Sequence, residues 1–463
     1  MRTPGSRTRI ACAAALTLAA TALPAPALAA APDSGHVEGA LPNGAAYVMD
    51  VPAAWNGTVL LFSHGYNDVG TPNPAENAPD DATKSLLLKQ GYALIGSSYA
   101  TTGWAMPDAV DDQLATLSTF TERFGAAQRT VAWGRSYGGM VTTAIAERHP
   151  GRIDGSLSLC GLVHGGVANW NNTLDPVFAL KTLLAPGSDV PLVDLPDQKT
   201  ATRAADTMVA AVDKAQASPA GRARIALAAA LHNIPGWNQE SQARPAPDDW
   251  NAQQANQYAA VKGLLKVAAF NRRQDSEARS GGNASWNTGV DYARLLARSS
   301  VRKEIGELYR EAGLSLRGDL ATLGRAPRIS ADPEAVGRLR RTSTFTGKLA
   351  KPQFDVHTTG DPLVPVQTES ALRRAVTAAG SSSRLRQAYT DNAGHCTFSA
   401  AEQLAALHTL EDRIATGTWH GTDPDALNSR AAQADPSGPA RYVAYRPTEY
   451  LRPYDRAHPA DGR

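Results

Sequence analysis

Gly134-Arg135-Ser136-Tyr137-Gly138-Gly139 is the stretch on which the reading of this chain turns. Residues 130–133 before it are β-branched or apolar and predict a strand, while 137–148, stopped by Pro150, predicts a helix. A serine at a strand-to-helix elbow is forced into a cramped backbone conformation that lifts its hydroxyl above the strand end. Glycines flank it because a Cβ there would meet backbone. The helix amino terminus behind the serine supplies free N–H groups and a dipole suited to an oxyanion. With 39 glycines in the chain the pentapeptide alone is unspecific, and the strand and helix around it give it weight.

Working outward, short apolar or β-branched runs predict strands at 45–51, 58–63, 92–97 and 155–159, with helices between them at 82–90 and 109–124. This βαβ rhythm predicts an α/β fold with a mostly parallel sheet. After His164 the rhythm changes. Residues 165–351 read as helices (199–216, 220–232, 251–270 and 299–312 among them) with little strand signal, too long for a loop and taken as an inserted helical cap or lid. The alternation then returns with strands at 354–358 and 384–389 and helices at 368–379 and 400–416. The core is therefore expected over 31–164 and 352–420. The Pro-, Arg- and Asp-rich tail at 421–463 is expected to stay irregular or to pack on the surface.

The first 30 residues read differently. Arg2, Arg7 and Arg9 precede an apolar run over 10–23 that ends in small residues around Ala27 and Ala29. That order is a secretory signal peptide cleaved near Ala29 or Ala30, with an uncleaved anchor as the alternative. The mature protein is expected to be secreted, with no stable membrane insertion. Without the three leader arginines the chain carries 43 basic against 44 acidic side chains, a balance that argues against nucleic acid or an anionic membrane as partner. Cys12 leaves with the leader. Cys160 and Cys396 remain, either as one disulfide or as two separate buried thiols.

The elbow after the fourth or fifth strand and the order Ser, Asp, His along the chain resemble the α/β-hydrolase superfamily over 40–164 and 352–418. The resemblance implies an acid after the next-to-last strand, where Thr359-Gly360-Asp361-Pro362-Leu363-Val364-Pro365 stands. Asp361 is that acid. Asp355, at the start of the same strand, lies at the wrong end of the sheet. It implies a histidine loop after the last strand, matched by Asp391-Asn392-Ala393-Gly394-His395-Cys396. Ser136 is then the nucleophile, His395 its general base and Asp361 the group that orients the base. The oxyanion donors are expected from the Tyr137 backbone N–H and, through Ser63-His64-Gly65-Tyr66-Asn67, from Tyr66, with His64 supporting the loop. Cys160 and Cys396 should meet at the same carboxyl edge, where a bridge would tether the His395 loop.

The leading function on these residues is hydrolysis of a small or polymeric carboxylic ester through an acyl-enzyme. The nearest rival is amide or peptide cleavage, in which acids such as Asp175, Glu240 or Glu277 would hold a substrate amino group. A binding protein on a hydrolase fold comes third, because the serine, acid and histidine are all retained. Trp170, Trp237, Trp250, Phe270 and Trp286 are candidates for a pocket wall, core packing being the commoner use of such side chains. No metal-ligand spacing or phosphate loop appears in the sequence, and no cofactor is required.

Overall fold

The computed structural model describes residues 35–454 together with Met1 and Gly5, so the leader expected over 1–30 falls on residues beyond that range. The strands are β1 (Gly35–Ala40), β2 (Ala46–Val51), β3 (Thr58–Ser63), β4 (Ala93–Ser97), β5 (Arg129–Arg135), β6 (Gly155–Leu159), β7 (Gln353–Gly360), β8 (Leu385–Ala393) and β9 (Tyr442–Val443). They join in one sheet of order β1-β2-β4-β3-β5-β6-β7-β8-β9. The pairs from β4 through β8 are parallel, and β1, β2 and β9 pair antiparallel at the two edges.

The inner strands are apolar on both faces because both faces are covered. Every residue of β3, β4 and β6 is buried. On one face lie α2 (Asp108–Phe124) and α3 (Tyr137–Arg148), whose Leu117, Phe120, Met140 and Ile145 meet Leu61, Ile95 and Ala132 of the sheet. On the other lie α1 (Asp81–Lys89) and a later helix over Ala400–Thr416, which bring Leu87, Leu404 and Leu407 against Phe62, Trp133 and Phe354. The fold is therefore α/β, as the alternation implied.

Between β6 and β7 the described chain is helical: α4 (Gly166–Leu184), α5 (Gln198–Gln216), α6 (Pro219–His232), α7 (Trp250–Leu264), a π-helical stretch Leu265–Arg272, α8 (Arg273–Ser280), α9 (Tyr292–Arg298), α10 (Arg302–Glu311), α11 (Leu316–Arg325) and α12 (Pro333–Ser343). These helices share an apolar cluster of their own, with Met208, Leu227, Val261, Phe270 and Leu308 fully or almost fully buried. After β7 come α13 (Thr368–Ala378), α14 (Ala400–Thr416) and α15 (Pro424–Ala434). No helix among the described residues is long and apolar enough to cross a membrane.

Two expectations are corrected here. The helix read over 251–270 stops at Leu264 and passes into the π-helical stretch, whereas the one read over 299–312 is present as α10, beginning at Arg302. β1 was not read at all. The described part of the tail, 421–454, is not wholly irregular or superficial: it forms α15, adds β9 to the sheet, and buries Tyr450, Leu451, Arg452 and Tyr454. Arg452 is drawn inside by an ion pair of 2.6 Å with the buried Asp175, the arrangement that makes a buried cation tolerable.

Candidate active site

The three side chains singled out by the sequence leave the carboxyl ends of three parallel strands. Ser136 follows β5 and caps α3 with φ 56° and ψ −123°. A side-chain residue held there stores about 1–3 kcal/mol of strain. The surroundings impose it: the Ser136 N–H donates to the Leu159 carbonyl at 2.9 Å, and its own carbonyl accepts from the Gly139 N–H at 2.9 Å. The flanking glycines are required by close approach. A Cβ on Gly138 would lie 1.9 Å from the Ser63 carbonyl oxygen, and one on Gly134 would lie 2.5 Å from that of Gly138.

Asp361 follows β7. Its Oδ1 accepts the N–H groups of Leu363 and Val364, each at 2.9 Å, which fixes the carboxylate and turns Oδ2 toward His395 Nδ1 at 2.7 Å. His395 follows β8, in a loop held by the Thr358 hydroxyl donating to the Gly394 carbonyl at 2.9 Å. Its Nε2 lies 2.7 Å from Ser136 Oγ. One continuous path therefore runs from hydroxyl to imidazole to carboxylate. Burial alone would push the Asp361 carboxyl up, but the charge of His395, its hydrogen bond and the nearby His357 outweigh it and hold Asp361 far below the usual carboxylate range.

Tyr66, Trp104, Ser136, Tyr137, Trp170 and Arg272 line one cavity of about 40 Å³, together with shorter side chains of α4, α7 and the Asp361 turn. Tyr66 and Tyr137, the two expected oxyanion residues, thus stand beside Ser136. Their rings meet edge to face at 5.6 Å, and the Tyr137 hydroxyl accepts the Met106 N–H at 2.8 Å. His64 lies behind them, stacked on Tyr99 with ring centres 4.0 Å apart, its Nε2 3.0 Å from the Ser98 carbonyl oxygen and its Nδ1 2.7 Å from that of Gly65.

Of the five aromatic candidates only Trp170 is among the residues lining this cavity. Phe270 is core, Trp237 donates to the Gln242 carbonyl, and Trp286 packs on Tyr454. The acids considered as readers of an amino group are held elsewhere. Asp175 pairs with Arg452, Glu240 with Arg441 at 2.8 Å, and Glu277 faces Arg273 at 3.8 Å.

Several participants escaped the sequence reading. Arg272 spans the cavity wall, its guanidinium 4.4 Å above the Tyr66 ring and bound through Nε and Nη2 to both oxygens of Asp68 at 2.8 and 3.2 Å. Asp275 accepts from the Tyr66 hydroxyl at 3.1 Å and from the Trp104 N–H at 2.5 Å. These contacts clasp the loop after β3 to the helical insertion. The π-helical position of Arg272 is the kind of segment that marks functional sites, but it leaves no trace in the periodicity of the sequence.

A disulfide joins Cys160 to Cys396 with Cα atoms 5.4 Å apart, beyond the end of β6 on one side and next to His395 on the other. Bridging residues 236 apart restricts the unfolded chain by up to about 5 kcal/mol on the loop-entropy account. Excess reductant is expected to lower the unfolding midpoint by several degrees, followed by differential scanning fluorimetry alongside thiol titration. A midpoint that stays put once both thiols titrate would remove this role.

Compared with known proteins, residues 40–292 match the model of a tannase-like family of unknown function, DUF6351. An o-phthalyl amidase of Xanthobacter agilis is 30% identical over 430 residues, covering 88% of this chain and 93% of that protein. Among solved structures, an esterase from Aspergillus oryzae aligns with a TM-score of 0.39 at 12% identity over 83% of this chain and 80% of that one. Feruloyl esterase B of the same fungus gives 0.38 at 10% identity over 83% and 81%.

Proposed function

Because the chain belongs to the tannase-like DUF6351 family, and is a hydrolase of ester or amide substrates on an α/β-hydrolase fold, we propose that it cleaves carboxylic esters of aromatic acids through an acyl-enzyme on Ser136. The observation that carries the reading is the pair of 2.7 Å hydrogen bonds linking Ser136, His395 and Asp361 at the wall of an aromatic cavity. Ser136 Oγ attacks the acyl carbon as His395 Nε2 takes its proton, and the imidazolium so formed is steadied through Nδ1–H by Asp361. The oxygen that gains charge is received by the backbone N–H groups of Tyr137, at the start of α3, and Tyr66. His395 returns the proton to the leaving alcohol, then activates the water that frees the acid.

The acyl ring is assigned to the wall of Tyr66, Trp104, Tyr137 and Trp170. The indole N–H groups of Trp104 and Trp170 are buried without a hydrogen-bond partner, and Arg272 is the charged side chain among the described lining residues. An aromatic slot beside a guanidinium suits a ring that carries oxygen substituents or a carboxylate. At about 40 Å³ the space admits a few waters, so ring entry needs the Leu265–Arg272 stretch to part from the Tyr66 loop. Amide cleavage is the second reading, favoured by the relative named as an o-phthalyl amidase. Secretion after removal of the leader at 1–30 also belongs to the proposal, supported by a disulfide of the kind that oxidising compartments preserve. Amino-terminal sequencing of the mature chain reads the cleavage point.

The test is a panel of chromogenic esters and matched anilides. Aromatic acyl groups are expected to exceed aliphatic ones of similar size at least about tenfold in kcat/KM, the discrimination that a shaped apolar pocket provides. Arg272→Gln is expected to lower the ratio of carboxylate-bearing to unsubstituted rings. An aliphatic preference would sink the aromatic assignment, and anilides outrunning esters by orders of magnitude would move the enzyme to the amidases.

A further inference from the structure

Behind Asp361 lies a second imidazole that the reaction path above does not use. His357, on β7, is fully buried. Its Nε2 is 2.9 Å from the Val364 carbonyl oxygen and 3.6 Å from Asp361 Oδ2, the oxygen that faces His395. Its Nδ1 is 3.1 Å from Oε1 of Glu369, in the first turn of α13. Both nitrogens thus face acceptors. A neutral imidazole can donate from one nitrogen only and would turn a lone pair on an oxygen at the other, whereas the protonated ring satisfies both.

The groups around it fit that state. Burial would push His357 down, but the carboxylates of Asp361 and Glu369 beside it prevail and raise it to about 10. Glu369 also accepts from Gln387 Nε2 at 2.6 Å. Asp355, on the same strand, is pushed up by burial and by the charge of Glu369. His164, after β6, and His232, on α6, are pushed down by burial and stay neutral. The buried charges behind the site are then Asp361, His357 and Glu369 in a row.

We propose that His357 is a positioning residue for the hydrolysis: a buried imidazolium, neutralised by Glu369, that holds Asp361 in place and moderates its pull on the His395 proton. The proposal rests on the assignment of His395 as general base. Its consequence is electrostatic: removing the cation beside Asp361 would strengthen the carboxylate's hold on the His395 proton. His357 Nε2 and His395 Nδ1 stand on either side of Asp361 Oδ2 at 3.6 and 2.7 Å, and two positive charges about 6 Å apart at an effective dielectric near 20 move a titration by about two pH units, of which Glu369 cancels more than half.

In His357→Gln the acid limb of the kcat/KM profile is therefore expected to move up by about half to one pH unit, with a lower plateau as Asp361 loses its brace. A residue that only fills space would lower the plateau and leave the limb in place. An unmoved limb, or one that moves down, overturns the proposal. A measurement on the wild type covers the case of a variant that does not fold: in protein labelled with 15N-histidine, one buried ring, assigned to His357, is expected to show both nitrogens protonated at pH 8, and a neutral tautomer there overturns the proposal equally. Labelling by a fluorophosphonate separates this failure from that of the reading beneath it, since a wild type that labels at Ser136 retains its base whatever His357 does.

Discussion

Ser136→Ala is expected to lower kcat toward ester substrates by about 10⁵-fold or more while the unfolding midpoint stays within a few degrees of the wild type. Removing the nucleophile of a Ser-His-Asp set leaves only what binding and oxyanion donors can do, and single losses in such sets reach about 10⁶. The fold should tolerate the change because the demanding feature of the position is its backbone. Alanine keeps the Cβ that already sits at φ 56°, so the strain is unchanged, and the hydrogen bond lost is the one to His395. Fluorophosphonate labelling should vanish with the activity. A purified variant that keeps more than about one part in a hundred of the wild-type rate would mean that acyl transfer passes through another group.

The sheet was legible because each parallel strand is covered on both faces and so writes itself as an unbroken apolar run; β3 and β6 begin and end where the sequence indicated. β1 was not legible for the opposite reason. Gly35–Ala40 is an exposed edge with no residue fully buried, and without a core-facing side there is no alternation to read. The tail hid in the same way behind its composition. Arg452 reads as surface until Asp175, 277 residues earlier, is known to face it.

The site divides along the same line. Ser136 lies in a turn whose glycines and flanking elements single it out, while Asp361 and His395 follow strand ends at the places that the resemblance to α/β-hydrolases implies. Their contact is a fact of three dimensions. The cavity wall had no local signature: Trp104 comes from the loop after β4, Trp170 from α4 and Arg272 from the π-helical stretch, and nothing in their spacing predicts convergence. His357 did leave a trace. Asp355 and His357 stand at alternate positions of a fully buried strand segment, where ionisable groups are rare unless they are paired.

Asp361→Asn is expected to cost about 10⁴-fold in kcat with little change in substrate affinity, and the reason is a proton in the wrong place. The amide oxygen of asparagine can accept the Leu363 and Val364 N–H groups as Oδ1 does now, so the turn keeps its form. The amide nitrogen then occupies the Oδ2 position and offers hydrogens to His395 Nδ1. An imidazole that accepts there carries its own proton on Nε2, against Ser136 Oγ, and can no longer take the serine's. Stability should report the same carboxylate independently. Because Asp361 titrates below its ordinary range in the folded protein, its contribution is present at neutral pH and lost as pH falls. The gap in unfolding midpoint between wild type and Asp361→Asn should therefore be widest above about pH 5 and narrow in acid. A variant whose kcat falls less than about tenfold would show that the His395 tautomer is set by something other than this carboxylate, and would leave the 2.7 Å contact with Asp361 without a role in the chemistry.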